Sequence, residues 1–118
     1  MVNRERITSL ILVPTIIKRL IDHPQFSKTD LSSVEIIRYG AEPLDPATRE
    51  RMLKGFPHVR FSEGLGQTEM GTPIYQLEDD FVTHPGSAGR PDVFCDVKII
   101  KENGEEARVG EVGEIVVR

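Results

Sequence analysis

The sequence is poor in several residues that would point to particular classes of protein. Its 118 residues include one cysteine, Cys95, so no disulfide can form within the chain and a reducing compartment is favoured. It has no tryptophan, 6% aromatic residues and a net charge of −4. A chain of this kind lacks the basic surface with interspersed aromatic residues that nucleic-acid-binding domains use, and we expect no nucleic-acid partner.

The sequence also has no hydrophobic run long enough to cross a membrane. Its longest unbroken apolar run is Leu10–Val13, whereas a membrane-spanning helix needs about 20 apolar residues. Arg4, Glu5 and Arg6 precede only this short segment, which does not resemble a signal peptide. We therefore expect a cytoplasmic protein without a transmembrane segment. A chain of this length suffices for one domain that buries roughly 65% of its unfolded surface.

Several motifs of catalysis and cofactor binding are missing as well. There is no GxxxxGK(S/T) phosphate loop, and the series that starts at Gly64 fails the GxGxxG pattern because Glu69 occupies its sixth position. No G-x-S-x-G elbow is present, and His23, His58 and His84 have no neighbours at metal-ligand spacing. These absences leave nucleophilic catalysis and a histidine metal site without support. They favour a site that binds and polarises a nucleotide.

The first two-thirds of the sequence alternates between strand and helix patterns. The predicted strands are Ile7–Val13, Val34–Tyr39 and His58–Phe61. Pro14 and Pro46 suit the first turn of a helix, and Asp45 suits the cap before the second one. Gly55 suits a left-handed residue at the end of that second helix. The alternation predicts an α/β fold with a mostly parallel sheet and flanking helices.

The remainder of the sequence predicts antiparallel strands joined by turns. The strands expected there are Ile74–Leu77, Val93–Lys101 and Glu114–Arg118, with a hairpin at Asn103-Gly104. Glu78–Asp80 predicts an acidic loop that would pair with Arg90. We therefore divide the chain into an α/β segment, residues 1–77, and a turn-rich segment with a C-terminal antiparallel β-meander, residues 78–118. Because a strand coincides with the end of the sequence, we expect an internal piece of a longer protein.

Two glycine-bearing segments directly follow predicted strands. They are Gly40–Leu44 and Ser62–Glu69. Ligands of open α/β sheets bind beyond the carboxyl ends of the strands, so we expect both segments to lie close together and form one site. Glycines let the backbone approach a phosphate, while the Thr68 hydroxyl and the Glu69 carboxylate are suited to contact the phosphate and its magnesium ion. The pattern predicts a nucleotide site.

Six short motifs, in this order, resemble those of the adenylate-forming superfamily, the AMP-dependent acyl-CoA synthetases and ligases. They are Pro14–Thr15, Asp30–Ser33, Gly40–Leu44, Gly66–Glu69, Pro85–Pro91 and Gly110–Arg118. The resemblance implies an enzyme that activates a carboxylic acid with Mg²⁺·ATP to an acyl-adenylate and then transfers the acyl group to coenzyme A. It implies small-molecule partners only: the acid, ATP and CoA. A fatty acid is the commonest acid in such a family.

The resemblance also implies roles for individual residues. The adenine face would be lined by Gly40, Ala41 and Glu42. The segment beside adenine and the substrate carboxylate would consist of Gly64, Leu65, Gly66 and Gln67. Thr68 and Glu69 would be the catalytic residues, with Thr68 on phosphate oxygens and Glu69 on magnesium. The wall of the acyl pocket would include Ile74 and Tyr75.

The sequence departs from the family pattern in two respects. Leu65 stands where the family often has an aromatic residue stacked on adenine, and a leucine offers apolar contact without that ring face. The family's phosphate loop, ribose-binding aspartate, hinge and mobile domain with its catalytic lysine have no counterpart in these residues. The resemblance therefore implies an internal segment of the large N-terminal domain that is inactive alone. Surfaces exposed by truncation would favour self-association.

Two other interpretations remain open from the sequence. A free-standing flavodoxin-like nucleotide-binding module would share the alternation of strands and helices and would bind AMP by itself. A non-catalytic interaction domain would show no response to nucleotide and would expose an apolar patch for another chain.

Overall fold

A computed structural model describes the backbone of residues 1–118 and every side chain except that of Glu78. The helices are α1 (Val2–Glu5), α2 (Pro14–Asp22), α3 (Pro46–Gly55) and α4 (Glu78–Thr83), with a 3₁₀ turn at Phe26–Lys28. The strands are β1 (Ser9–Leu12), β2 (Ile36–Gly40), β3 (Arg60–Gln67), β4 (Gly71–Leu77), β5 (Arg90–Pro91), β6 (Val97–Ile100) and β7 (Glu114–Val117).

Strands β1 to β5 form one mixed sheet in the order β1-β2-β3-β4-β5. The pairs β1–β2 and β2–β3 are parallel, with α2 and α3 in the crossovers, so the predicted strand–helix–strand–helix–strand unit is confirmed. β4 and β5 add antiparallel strands to the same sheet. A separate two-stranded antiparallel sheet consists of β6 and β7.

Helices α2 and α3 cover one face of the five-stranded sheet. Ile17 of α2 and Met52 of α3 are fully buried in one cluster with Ile37 of β2 and Phe61 of β3. Side chains alternate between the two faces of a strand. Ile11, which points to the opposite face, is 79% exposed. The helices therefore bury only one face of the sheet.

The predicted helix starts are confirmed, but the predicted end of α3 is wrong. Pro14 and Pro46 occupy first turns, and the Asp45 carboxylate accepts a hydrogen bond from the Thr48 backbone N–H at 2.9 Å. Gly55 is not left-handed; it is the last residue of α3. A Cβ at Gly55 would lie 3.2 Å from the ring of Phe26, so this position accommodates an aromatic neighbour.

The predicted acidic loop at Glu78–Asp80 is in fact the first half of helix α4. Phe81 supplies the reason, because it is 7% exposed and joins the core beside the Tyr39 ring, at 6.3 Å between centroids. Folding as a helix lets the chain bury that ring. Asp80 accepts a hydrogen bond from the Leu77 N–H at 3.3 Å and forms the predicted ion pair with Arg90.

The C-terminal segment forms a shorter sheet than predicted. The strand expected at Val93–Lys101 begins only at Val97, because Phe94, at 92% exposed, lies in a turn with no apolar layer to cover it. Asn103-Gly104 does form a tight turn, in which the Gly104 N–H donates to the Lys101 carbonyl at 2.9 Å. The expected meander is therefore a single pair of strands with two turns between them.

Among the residues that the structure describes, no helix has the length and apolar character required to cross a lipid bilayer.

Candidate functional site

The glycine-rich segment is part of a strand, which corrects the prediction that the third strand ends at Phe61. β3 continues to Gln67 because it has a partner on each side: β2 as far as Gly64, and β4 as far as Gln67. At Gly66 a Cβ would lie 1.9 Å from the carbonyl oxygen of Gly71, so only glycine permits this close pairing. The register shifts at this point, which makes the strand irregular beside the turn at Thr68.

The two glycine-bearing segments meet at the carboxyl edge of the sheet, as predicted. Gly40, the last residue of β2, lies directly opposite Gly64 of β3. A Cβ at Gly40 would stand 2.3 Å from the Gly64 carbonyl oxygen, which is far inside any van der Waals contact. Close contact of the two backbones therefore depends on the absence of a side chain at Gly40.

The turn after Gly40 is held in place by a contact with helix α2. Ala41 has a φ of 71°, which is a left-handed conformation that a residue with a Cβ rarely adopts. The Glu42 carboxylate accepts hydrogen bonds from the Thr15 backbone N–H at 3.2 Å and from the Thr15 hydroxyl at 2.7 Å. Because its carboxylate caps the start of α2, Glu42 is available to a ligand chiefly through its backbone.

Replacing Ala41 by glycine is expected to raise the free energy of unfolding by about 0.5–1 kcal/mol, because glycine adopts a positive φ without steric cost. Denaturant titration measures the effect. Ala47→Gly is the matched control, since Ala47 is an exposed residue of helix α3, where glycine lowers stability by up to about 1 kcal/mol. If both substitutions lower stability alike, Ala41 is not strained.

A smaller pocket of about 370 Å³ opens on the helix-covered face of the sheet, at its carboxyl edge. Apolar side chains contribute part of its wall, namely Leu44, Leu65 and Ala88. Its polar lining includes Arg49, Glu63 and Ser87, and its backbone lining includes the Gly40 turn and the stretch from Gly64 to Gly66. The lining combines apolar and polar groups, which suits a heteroaromatic ring with polar edges.

A larger pocket of about 750 Å³ opens on the opposite face of the same edge. Its lining includes aliphatic residues of β1, of α2 and of the junction between them, namely Ile11, Leu12, Val13 and Ile16. Thr72 and Tyr75 of β4, and Thr68 of the turn between β3 and β4, form another part of its wall. Four positions line both pockets: Gly40, Ala41, Gly64 and Gly66. The sheet edge is therefore shared by two adjacent pockets.

Most of the sequence-predicted site residues lie at these two pockets. Besides the four shared positions, Glu42 and Leu65 line the smaller pocket, and Gln67, Thr68 and Tyr75 line the larger one. Two predicted residues line neither pocket. Ile74 is 7% exposed and lies opposite Leu65 on the helix-covered face, whereas Tyr75 lies opposite Gly64. Glu69 is exposed in the turn after Thr68.

No three acidic, histidine or cysteine side chains of the described part of the chain are grouped as a metal site would require. Mg²⁺ commonly binds through one or two carboxylates together with substrate phosphates and water. The single exposed carboxylate of Glu69, next to Thr68 at the larger pocket, fits such a partial ligand set. A metal role for Glu69 stays a prediction.

The structure adds residues that sequence reasoning did not assign to the site, above all Arg49 and Glu63. The Arg49 guanidinium donates to the Glu63 carboxylate at 2.9 Å, and these side chains are only 17% and 19% exposed. The Tyr39 hydroxyl also donates to Glu63, at 3.2 Å. Burial raises the pKa of the Tyr39 hydroxyl far above its ordinary value, and the Glu63 carboxylate raises it further, so Tyr39 stays a donor.

Comparison with known proteins identifies the family. The family model described as AMP-binding enzyme matches residues 1–118, the whole chain. The chain belongs to the AMP-binding enzyme family. It is 36% identical over 98% of its length to the medium/long-chain fatty-acid–CoA ligase FadD8 of Mycobacterium tuberculosis. It is also 36% identical, over 98% of its length, to feruloyl-CoA synthase of Amycolatopsis sp.

A solved structure has the same fold over nearly the whole chain. The anthranilate CoA ligase AuaEII in complex with anthranoyl-AMP superimposes with a TM-score of 0.85 and 26% identity, over 99% of this chain and 22% of that one. The chain spans 20% of the FadD8 relative and 23% of the feruloyl-CoA synthase. The chain therefore matches segments of longer proteins that are named as CoA ligases or a CoA synthase.

Proposed function

We propose that the protein carrying this chain activates a carboxylic acid with ATP to an acyl-adenylate and transfers the acyl group to CoA. The observation that carries the proposal is the pair of pockets that share Gly40, Ala41, Gly64 and Gly66 at one sheet edge. An acyl-adenylate joins two chemically different halves through one phosphate. Two pockets separated by a thin wall of backbone suit such a molecule.

The smaller pocket would take the adenine ring. Its apolar residues, Leu44, Leu65 and Ala88, would contact the faces of the base, and nearby backbone groups would contact its polar edge. Leu65 would make this contact without an aromatic face, so that adenine binding here relies on shape and burial more than on ring stacking. The backbone positions Gly40 to Glu42 and Gly64 to Gln67 keep the roles that the sequence predicted for them.

The larger pocket would take the acid. The aliphatic residues Ile11 and Ile16 line it, and Tyr75 adds an aromatic wall. These side chains suit an acyl group with substantial apolar surface, so we propose a fatty acid as substrate. An aromatic acid is the second candidate, favoured by Tyr75 and by a feruloyl-CoA synthase among the relatives.

The chemistry would depend on positioning and on neutralisation of charge. A carboxylate oxygen of the acid attacks the α-phosphorus of ATP, the bond to the β-phosphate breaks, and pyrophosphate leaves. In the second step the CoA thiolate attacks the acyl carbon and AMP leaves. Thr68, beside the larger pocket, would donate a hydrogen bond from its hydroxyl to a phosphate oxygen. Mg²⁺, with Glu69 among its ligands, would neutralise phosphate charge.

Acid-dependent exchange of labelled pyrophosphate into ATP, measured on the protein that carries this chain, tests the proposal. A panel of saturated fatty acids and hydroxycinnamic acids would identify the acid, and product analysis with added CoA would identify the thioester. We expect exchange with at least one of these acids. Exchange with none of them, in a protein shown to be folded, would contradict the proposed reaction.

The 118-residue chain by itself is expected to form no acyl-adenylate, because it spans only 20–23% of the length of these ligases. Purified chain, with circular dichroism as the check on folding, should show no acid-dependent pyrophosphate exchange. Detectable exchange above the background of an identical preparation without acid would show that these residues hold a complete active site.

We propose three further properties of this protein. The division into segments 1–77 and 78–118 is one of them. A cytoplasmic location is the second, and it rests on the lone cysteine. Self-association of the isolated chain is the third, and it is suggested by exposed apolar side chains such as Ile11 and Phe94.

A further inference from the structure

Three polar side chains and one phenylalanine ring form a cluster on the helix-covered face of the sheet. This Glu63 cluster consists of Tyr39, Arg49, Glu63 and Phe81. The Glu63 carboxylate accepts from the Arg49 guanidinium at 2.9 Å and from the Tyr39 hydroxyl at 3.2 Å. The guanidinium lies over the Phe81 ring, 4.7 Å from its centroid. The cluster therefore connects helix α3 to strands β2 and β3 and to helix α4.

The cluster lies one residue away from the contact between the two glycine segments. Tyr39 directly precedes Gly40, and Glu63 directly precedes Gly64. Tyr39 and Glu63 are opposite each other in the parallel register, as are Gly40 and Gly64 in the next position. The hydrogen bond from Tyr39 to Glu63 thus spans the same pair of strands whose backbones meet at the two glycines.

Burial of the charged groups of this cluster carries a desolvation penalty that apolar side chains would not have. Two charged groups lose most of their hydration, and the buried Nε of Arg49 has no hydrogen-bond partner in the described part of the chain. Replacing a buried ion pair by a hydrophobic pair of similar volume often leaves the stability of a fold unchanged or increases it. Hydrogen bonds and a planar guanidinium fix distances and angles that apolar side chains do not.

We propose that Arg49 and Glu63 are positioning residues of the nucleotide site, which hold the two glycine segments at the spacing that ATP requires. This inference rests on the proposed function. Arg49 and Glu63 line the smaller pocket, the one assigned to adenine, and not the larger one, whereas Tyr39 of the cluster lines the larger pocket. Loss of the ion pair should therefore weaken ATP binding more than binding of the acid.

The test is a set of substitutions measured in the protein that carries this chain. Arg49→Met should raise the KM for ATP, and the directly measured Kd for ATP, at least tenfold, with less than a threefold change in the KM for the acid. Combining Arg49→Met with Glu63→Gln should recover part of the loss, because it removes the unpaired buried charge and keeps an acceptor for Tyr39. Arg49→Lys should lie between wild type and Arg49→Met.

Arg51→Met is the matched control. Arg51 is on the same helix, but it pairs with Asp22 at the surface, with the two side chains 46% and 49% exposed. Exposed ion pairs contribute little, so this substitution should leave both KM values unchanged. Equal effects of Arg49→Met and Arg51→Met on the KM for ATP would overturn the inference. So would an equal rise in the KM for ATP and for the acid.

Failure of this inference is separable from failure of the proposed function. If the wild-type protein binds ATP but shows no acid-dependent exchange, the proposed reaction is wrong, and the Kd values of the variants still decide the role of the cluster. If the wild-type protein binds no ATP, both are wrong. If Arg49→Met does not fold, Glu63→Gln decides, with a raised Kd for ATP expected and an unchanged Kd contradicting the inference.

Discussion

Gly40→Ala is expected to reduce acid-dependent adenylation at least a hundredfold and to lower the free energy of unfolding by about 1–3 kcal/mol, as overpacking does. The added Cβ would stand 2.3 Å from the Gly64 carbonyl oxygen, and both partners are backbone, so no side chain can move aside. β2 and β3 would have to separate at the point where both pockets share their wall. Single-turnover adenylation and denaturant titration measure the two effects.

Gly55→Ala is the control for the Gly40 prediction. A Cβ at Gly55 would meet only the Phe26 ring, at 3.2 Å, and Gly55 is in a helix, where alanine is favoured. We expect its stability to change by no more than about 1 kcal/mol and its activity to stay at the wild-type level. If Gly40→Ala behaves like Gly55→Ala, the contact between the two glycine segments does not matter for function.

Thr68→Val is expected to lower the rate of acyl-adenylate formation about a hundredfold, because removal of one preorganised donor to a developing charge typically has an effect of this size. Thr68 is exposed beside the larger pocket, and valine keeps its branched shape while removing the hydroxyl. Stability should therefore change little. Rapid-quench measurement of acyl-adenylate in a single turnover separates this step from product release.

Thr68→Ser completes this experiment, since serine keeps the hydroxyl and loses the methyl group. It should retain a rate within about tenfold of wild type, as expected if the donor and not the methyl group supports the step. Equal losses in the serine and valine variants would show that the shape of the side chain matters, and a wild-type rate in the valine variant would remove Thr68 from the catalytic residues.

The α/β unit could be predicted from the sequence because its signals are local. Pro14 and Asp45 begin helices through their own backbone and side-chain chemistry. Strands separated by such helices must be parallel and share one carboxyl edge. The meeting of Gly40 and Gly64 at that edge followed from this topology, without knowledge of any contact.

Wrong predictions arose where a distant partner decides local structure. β3 extends through Gly66 because β4 pairs with it there, although glycine-rich segments by themselves favour turns. Helix α4 forms in an acidic stretch because Phe81 has a place in the core beside Tyr39. Gly55 ends α3 as a helical residue, and the Phe26 ring occupies the space that a side chain there would need. In each case the deciding contact is made through tertiary packing or strand pairing, which a local sequence pattern does not reveal.

The sequence by itself determined the family, the parallel unit and the edge at which its two glycine segments converge, because helix starts, strand alternation and motif order are properties of neighbouring residues. Only the tertiary structure decided that this edge separates two pockets and that Glu63 accepts from both Tyr39 and Arg49. The physical reason is that burial and pairing depend on which side chains the fold brings together, and Tyr39, Arg49 and Glu63 come from three different elements of the chain.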